Sequence, residues 1–104
     1  MKVLRTILDQ LVPDKIRIRG NLYFLRGSVT NLSYTEQRAT AIVLGTNRYN
    51  VEIEFDKTKF PHKTFCTCPY SGVCKHVVAV LYKLNEINFF KERESLMKNE
   101  YKYS

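Results

Sequence analysis

Four potential metal ligands, Cys66, Cys68, Cys74 and His76, fall within eleven residues of a chain that has three cysteines and two histidines in all. Cys66-Thr67-Cys68 places two thiols on one side of an extended backbone, because side chains two apart in a strand project in parallel. Cys74-Lys75-His76 supplies a second pair at the start of an apolar-periodic segment, where free helical amides and the helix dipole favour a thiolate. Three sulfurs and one nitrogen suit tetrahedral zinc, whereas calcium and magnesium need oxygen ligands. Ligand type alone also admits iron.

Three clustered cysteines fit a metal better than a disulfide framework, and their natural compartment is a reducing cytoplasm. A thiol-disulfide role is disfavoured, since such enzymes use Cys-x-x-Cys and the spacing here is tighter. Catalytic zinc keeps one coordination position for water or substrate, and this cluster fills all four. The chain is therefore read as a non-enzyme with no small-molecule substrate. His62, in Phe60-Pro61-His62-Lys63, reads as a surface histidine outside the site.

A chain of 104 residues is the size of one domain, and 44% hydrophobic with 26% charged residues excludes bulk disorder. No apolar run approaches the roughly 20 residues of a membrane span, so no membrane partner is expected. The polar start after Leu8 does not fit a secretory signal. The net charge of +7 points to an anionic partner, and between Lys15 and Arg48 six basic residues face only Glu36. Arg17, Arg19, Arg26, Arg38 and Arg48 are the candidate contacts to DNA or RNA, with Tyr23, Phe24 and Tyr34 interleaved. The same pattern also fits core aromatics beside a solvated basic face.

Val3, Leu4, Ile7, Leu8 and Leu11 recur at helical spacing until Pro13, which predicts an N-terminal helix over residues 1–14. Ile16 and Ile18 alternate with Arg17 and Arg19 as in a strand or its lead-in, and Gly20-Asn21 breaks or turns it. Leu22–Val29 and Arg38–Leu44 read as two strands around a polar loop at Thr30–Gln37. Gly45-Thr46-Asn47 then turns into a third strand, in which Tyr49, Val51, Ile53 and Phe55 face the core opposite Asn50, Glu52, Glu54 and Asp56. The acidic outer row would repel a nucleic-acid backbone.

Val77, Val80, Leu81, Leu84 and Ile87 share one face of a helix expected to run to about Phe90. Phe89-Phe90 could close the core or form an exposed anchor. Residues 91–104 alternate charges and read as a C-terminal extension. The expected class is α+β, with a small antiparallel sheet of about three strands, an N-terminal and a C-terminal helix, and a zinc-binding domain over residues 15–90.

Cys-x-Cys followed by Cys-x-His, with Cys68-Pro69-Tyr70 and Cys74-Lys75-His76 as neighbours, resembles the SWIM zinc finger. Arg19-Gly20-Asn21-Leu22-Tyr23, Gly27-Ser28-Val29 and Val43-Leu44-Gly45 are similar to its upstream strands, extending the resemblance over roughly residues 16 to 88. The resemblance implies a strand-strand-helix unit, with the first ligand pair near the hairpin and the second entering the helix. It also implies a binding role beside helicase-like ATPases or, as in Shu-type recombination mediators, beside recombinase paralogues. Such a role would make the chain a cytoplasmic, or nucleoid-associated, adaptor in DNA recombination and repair. No Gly-x-x-x-x-Gly-Lys phosphate loop accompanies the finger.

Overall fold

The computed structural model describes residues 2–90, and the charged extension at 91–104 lies outside them. The periodicity at the N-terminus becomes α1 (Lys2–Leu11), whose Val3, Leu4, Ile7 and Leu8 are buried. Pro13 has no amide proton to continue that helix and adopts an extended conformation (φ −71°, ψ 161°). From there its carbonyl accepts the amides of Ile16 and Arg17 and starts a second helix, α2 (Asp14–Leu25).

This second helix corrects two expectations, because Lys15–Arg19 and the first part of Leu22–Val29 are helical rather than extended. A strand would put Ile16 and Ile18 on one face. Instead Ile16 is buried (8% exposed) and Ile18 faces outward (51% exposed). The buried side of α2 runs through Ile16, Gly20 and Phe24, at steps of four, and it crosses the helix α3 (Lys75–Glu86) at Gly20. A methyl group added at Gly20 would overlap Val78 and come within 2.9 Å of the Lys75 carbonyl oxygen. Gly20 is thus a point of backbone approach and not a breaker.

Four strands follow in meander order, each antiparallel to the next: β1 (Val29–Tyr34), β2 (Arg38–Leu44), β3 (Arg48–Phe55) and β4 (Pro61–Cys66). The expected α+β class with a small antiparallel sheet holds, and two of the strands, β1 and β4, fall where none was expected. The strand β1 occupies much of the expected polar loop, and its weak pattern has a physical cause. Its pairing with β2 is irregular between Thr30 and Ser33, where Asn31 sits at φ 52°. The strand β4 was not expected as a strand, although its last residue is the first of the cysteine pair expected on extended backbone.

Ala39, Ala41 and Val43 of β2 and Val51, Ile53 and Phe55 of β3 form the inner face of the sheet. Against them lies α3, in which His76 through Leu81 and Leu84 are all buried. A helix apolar nearly all round must be covered on two sides, and here the sheet covers one while α1 and α2 cover the other. The helix stops earlier than expected. Asn88 takes a left-handed conformation (φ 68°), its amide bonds to the Asn85 carbonyl, and the Phe89 amide bonds back to Leu84. That is a Schellman-type end with asparagine in the position glycine usually takes.

The reversal drives Phe89 and Phe90 inward, where they are 5% and 1% exposed and meet the Phe55 ring at 4.7 and 6.2 Å. The aromatic pair closes the core and is not an exposed anchor.

Candidate metal centre

Cys66 ends β4 opposite Val51, so its side chain points to the inner face of the sheet. Beyond β4 the chain bends at Thr67–Pro69 and does not run on extended, and it is held to β3 there because Thr67 donates its amide to the Asn50 carbonyl (3.1 Å) and accepts the Asn50 amide on Oγ1 (3.0 Å). These bonds present Cys68 beside Cys66. The chain returns through Pro69–Val73, with Gly72 at φ 94°, a conformation that disfavours any side chain. Cys74 is then the N-cap of α3, and His76 lies in its first turn.

The four ligand atoms lie within 4.8 Å of one another, with Cys74 and His76 buried and Cys66 and Cys68 half-buried. His76 points Nδ1 at the cluster, 3.6 Å from Cys66 Sγ and 3.7 Å from Cys74 Sγ. Zinc–sulfur and zinc–nitrogen bonds of ordinary length meeting at a tetrahedral angle give a sulfur–nitrogen edge of about 3.5 Å, which these two distances match. The residues fit the metal, and the chain carries a zinc site of three cysteines and one histidine. Zinc bound by these four residues would supply a structural cross-link between the end of the sheet and the start of α3.

The electrostatics favour thiolate at Cys74. The Cys66 thiol donates to it, His76 and the Val77 amide add further hydrogen bonds, and together they outweigh burial and hold Cys74 far below the usual thiol range. The same pairing with Cys74, reinforced by burial, pushes Cys66 up. A dication bound by these sulfurs displaces their protons, since the thiolate is the ligand form.

His76 is positioned by residues the sequence reading did not single out for that task. The Tyr49 ring stacks on the imidazole (4.0 Å between centroids, 19° between planes), and Tyr23 meets it edge-on at 5.2 Å. Imidazole Nε2 is buried and has no hydrogen-bond partner among the described residues, so aromatic contact takes the place of the usual polar orienting group. Gly45, in the turn between β2 and β3, leaves room for both rings. A methyl group there would come 3.1 Å from Tyr23 and 3.2 Å from Tyr49. The alternation of β3 marked Tyr49 as inward-facing but did not show what it would meet.

The five arginines do not share one surface. Arg17 is 20% exposed and turned toward the Tyr82 hydroxyl and Asp14, which hold its guanidinium firmly charged. Arg38 pairs with Glu52 at 2.8 Å on the outer face of the sheet. Arg48 stands at the other end of that face, about 20 Å away by strand rise. Arg19 is exposed on α2 and Arg26 at its C-cap, with Arg26 over the Tyr23 ring at 4.9 Å. Arg19 also lines a cleft of about 240 Å3 beside the metal site, together with Lys75, Tyr49 and Tyr70. His62 is exposed on β4, outside the cluster. No helix among the described residues is long and apolar enough to cross a membrane.

Residues 51–85 match the SWIM zinc finger family. The match takes in β3 from Val51 onward, β4, the four ligands and most of α3, and is narrower than the resemblance over residues 16 to 88. The chain is also 30% identical over 92 residues to an uncharacterized protein of Methanocaldococcus jannaschii. That alignment covers 83% of this chain and 38% of the relative, so the chain spans less than half of the relative's length. No solved structure matches the chain.

Proposed function

Taking residues 51–85 as a SWIM zinc finger, we propose that this chain is a non-catalytic binding module, an adaptor that contacts a protein partner and, through its basic positions, nucleic acid. The observation that carries the reading is the closure of the metal site. Four strong ligands converge within 4.8 Å. A zinc ion held by all four has no position left for substrate or activated water. The metal then serves to fix α3 against the sheet, and function falls to the surfaces so fixed.

The resemblance to Shu-type mediators supports a recombinase paralogue or a helicase-like ATPase as the partner, in DNA recombination or repair, with the chain in the cytoplasm and near the nucleoid. Affinity capture of the tagged, zinc-loaded chain from native extract, with and without nuclease, tests this. The expected result is a protein partner that survives nuclease treatment and is lost with Cys74→Ser. Recovery of no stable partner, or only of nuclease-sensitive ones, counts against it.

A second reading, nucleic-acid binding without a dedicated protein partner, draws support from the cleft beside the metal. There Arg19 and Lys75 stand next to Tyr70, a half-exposed ring suited to stacking on a base. Labelled single-stranded DNA, duplex DNA and RNA should then bind with a steep salt dependence that Arg19→Ala reduces. An absence of salt-sensitive binding at low micromolar protein rules this reading out.

A further inference from the structure

The outer face of α2 lies outside the zinc-finger match, and no part of the described chain covers it. Ile18, Leu22 and Leu25 are 51%, 50% and 67% exposed. Spaced by four and three residues, they form one stripe about 10 Å long on the side of the helix opposite Gly20. Singly exposed aliphatic residues are ordinary, but three in register on a helix whose other side is already packed form a surface shaped for another element.

The charge around the stripe is one-sided. Lys15, Arg19 and Arg26 fall on a single flank by helical geometry, and all three are exposed. None is ion-paired among the described residues. The acidic residue of this helix, Asp14, lies across the stripe and belongs to Arg17. Arg26 is held on its flank by its contact with Tyr23 and by donation from Nε to the Leu22 carbonyl at 3.4 Å.

We propose that this face docks an acidic amphipathic helix of a partner protein, its apolar side set on Ile18, Leu22 and Leu25 and its carboxylates facing Lys15, Arg19 and Arg26. The assignment rests on the binding-module reading and gives it a surface and a partner chemistry. A nucleic-acid backbone would use the cations but leave three aliphatic side chains with no base-stacking ring among them. A second copy of this face would bring more positive charge to the same seam. An acidic helix satisfies both the apolar stripe and the cationic flank.

Two labelled synthetic peptides of about five helical turns test the proposal. They share the same leucine spacing and carry either glutamate or lysine at the flanking positions. The zinc-loaded chain should bind the glutamate peptide about tenfold tighter than the lysine peptide, in a salt-sensitive manner. Leu22→Ser should weaken that binding about tenfold, and the pair Arg19→Glu with Arg26→Glu should invert the preference. Zinc content and melting temperature of each variant report whether it is folded.

Equal or absent binding of the two peptides, or binding unchanged by Leu22→Ser, overturns the proposal. So does DNA binding or self-association, by sedimentation, that Leu22→Ser abolishes, since either assigns the face to another occupant. Affinity capture with the Leu22→Ser chain separates the two levels of failure. If wild type and variant capture the same nuclease-resistant partner, the binding-module reading stands and this face is not its site. If wild type captures nothing, the underlying reading is itself lost.

Discussion

The Tyr49 ring lies flat against the imidazole of His76, 4.0 Å away and 19° from parallel, so a half-buried, inward-facing residue of β3 fixes the orientation of a metal ligand on α3. Replacing Tyr49 with leucine keeps an apolar side chain and removes the stacked ring. Zinc affinity, measured by competition with a chromophoric chelator, should fall about tenfold or somewhat more, as when other supports of a ligand are lost. An unchanged affinity would show that the imidazole is held by its other contacts alone.

Removing a ligand has a larger effect. Cys74→Ser or His76→Ala should release zinc and lower the melting temperature, because metal binding supplies folding free energy at the junction of β4 and α3. Elemental analysis of the purified variants, with thermal melts in the presence and absence of chelator, provides the check. Full zinc content in either variant would refute its place in the ligand set.

Gly20→Ala sets two effects in opposition. Alanine is favoured over glycine inside a helix by about 1 kcal/mol. The methyl, however, meets Val78 and the Lys75 carbonyl at the crossing of α2 and α3. Overpacking of this kind costs about 1–3 kcal/mol, and relief would require the backbones to move apart. Chemical denaturation should therefore show net destabilisation, and Val78→Ala should restore part of it. A more stable Gly20→Ala protein would mean that Val78 and the Lys75 carbonyl yield easily to the added methyl.

Asp56 closes the turn between β3 and β4. Its carboxylate accepts the Thr58 hydroxyl and amide and the Phe60 amide. The Thr58 hydroxyl is the largest influence, followed by the Phe60 amide, and they hold the carboxyl below its ordinary value. Since the folded value is the lower one, the stabilisation is complete above the ordinary carboxyl range and disappears as pH falls through the folded value. The melting-temperature difference between wild type and Asp56→Asn should be constant near neutrality and shrink below about pH 4. A difference that grows in acid would contradict this linkage.

What could be read from the sequence followed local repetition and ligand chemistry. The cysteine–histidine cluster was legible because few residue types bind metal and four stood close together. The strand β3 was legible because its alternation is strict, and α1 because its apolar residues keep helical spacing. The helix α2 was not, since Ile16, Arg17, Ile18 and Arg19 satisfy a two-residue period over a short span. The residue that decides for a helix is Gly20, whose role exists only when Val78 is placed against it. The strand β1 was hidden by its irregular pairing at Asn31, and β4 by the lack of an apolar alternation in Pro61-His62-Lys63-Thr64. For the site, the thiols and imidazole could be named in advance, but the aromatic clamp of Tyr23 and Tyr49 depends on a meeting of α2, β3 and α3.

The crossing at Gly20 and Val78 also bears on the order in which the molecule assembles. The ligands are local in sequence and the meander joins only adjacent strands, so both can form through short loop closures. Gly20 and Val78 lie on opposite sides of the whole meander, and their contact requires the sheet and the start of α3 to be in place. The metal-bearing half can thus form early, with α2 docking as a late step. In kinetic terms, Gly20→Ala should mainly accelerate unfolding, whereas loss of a zinc ligand should also slow folding.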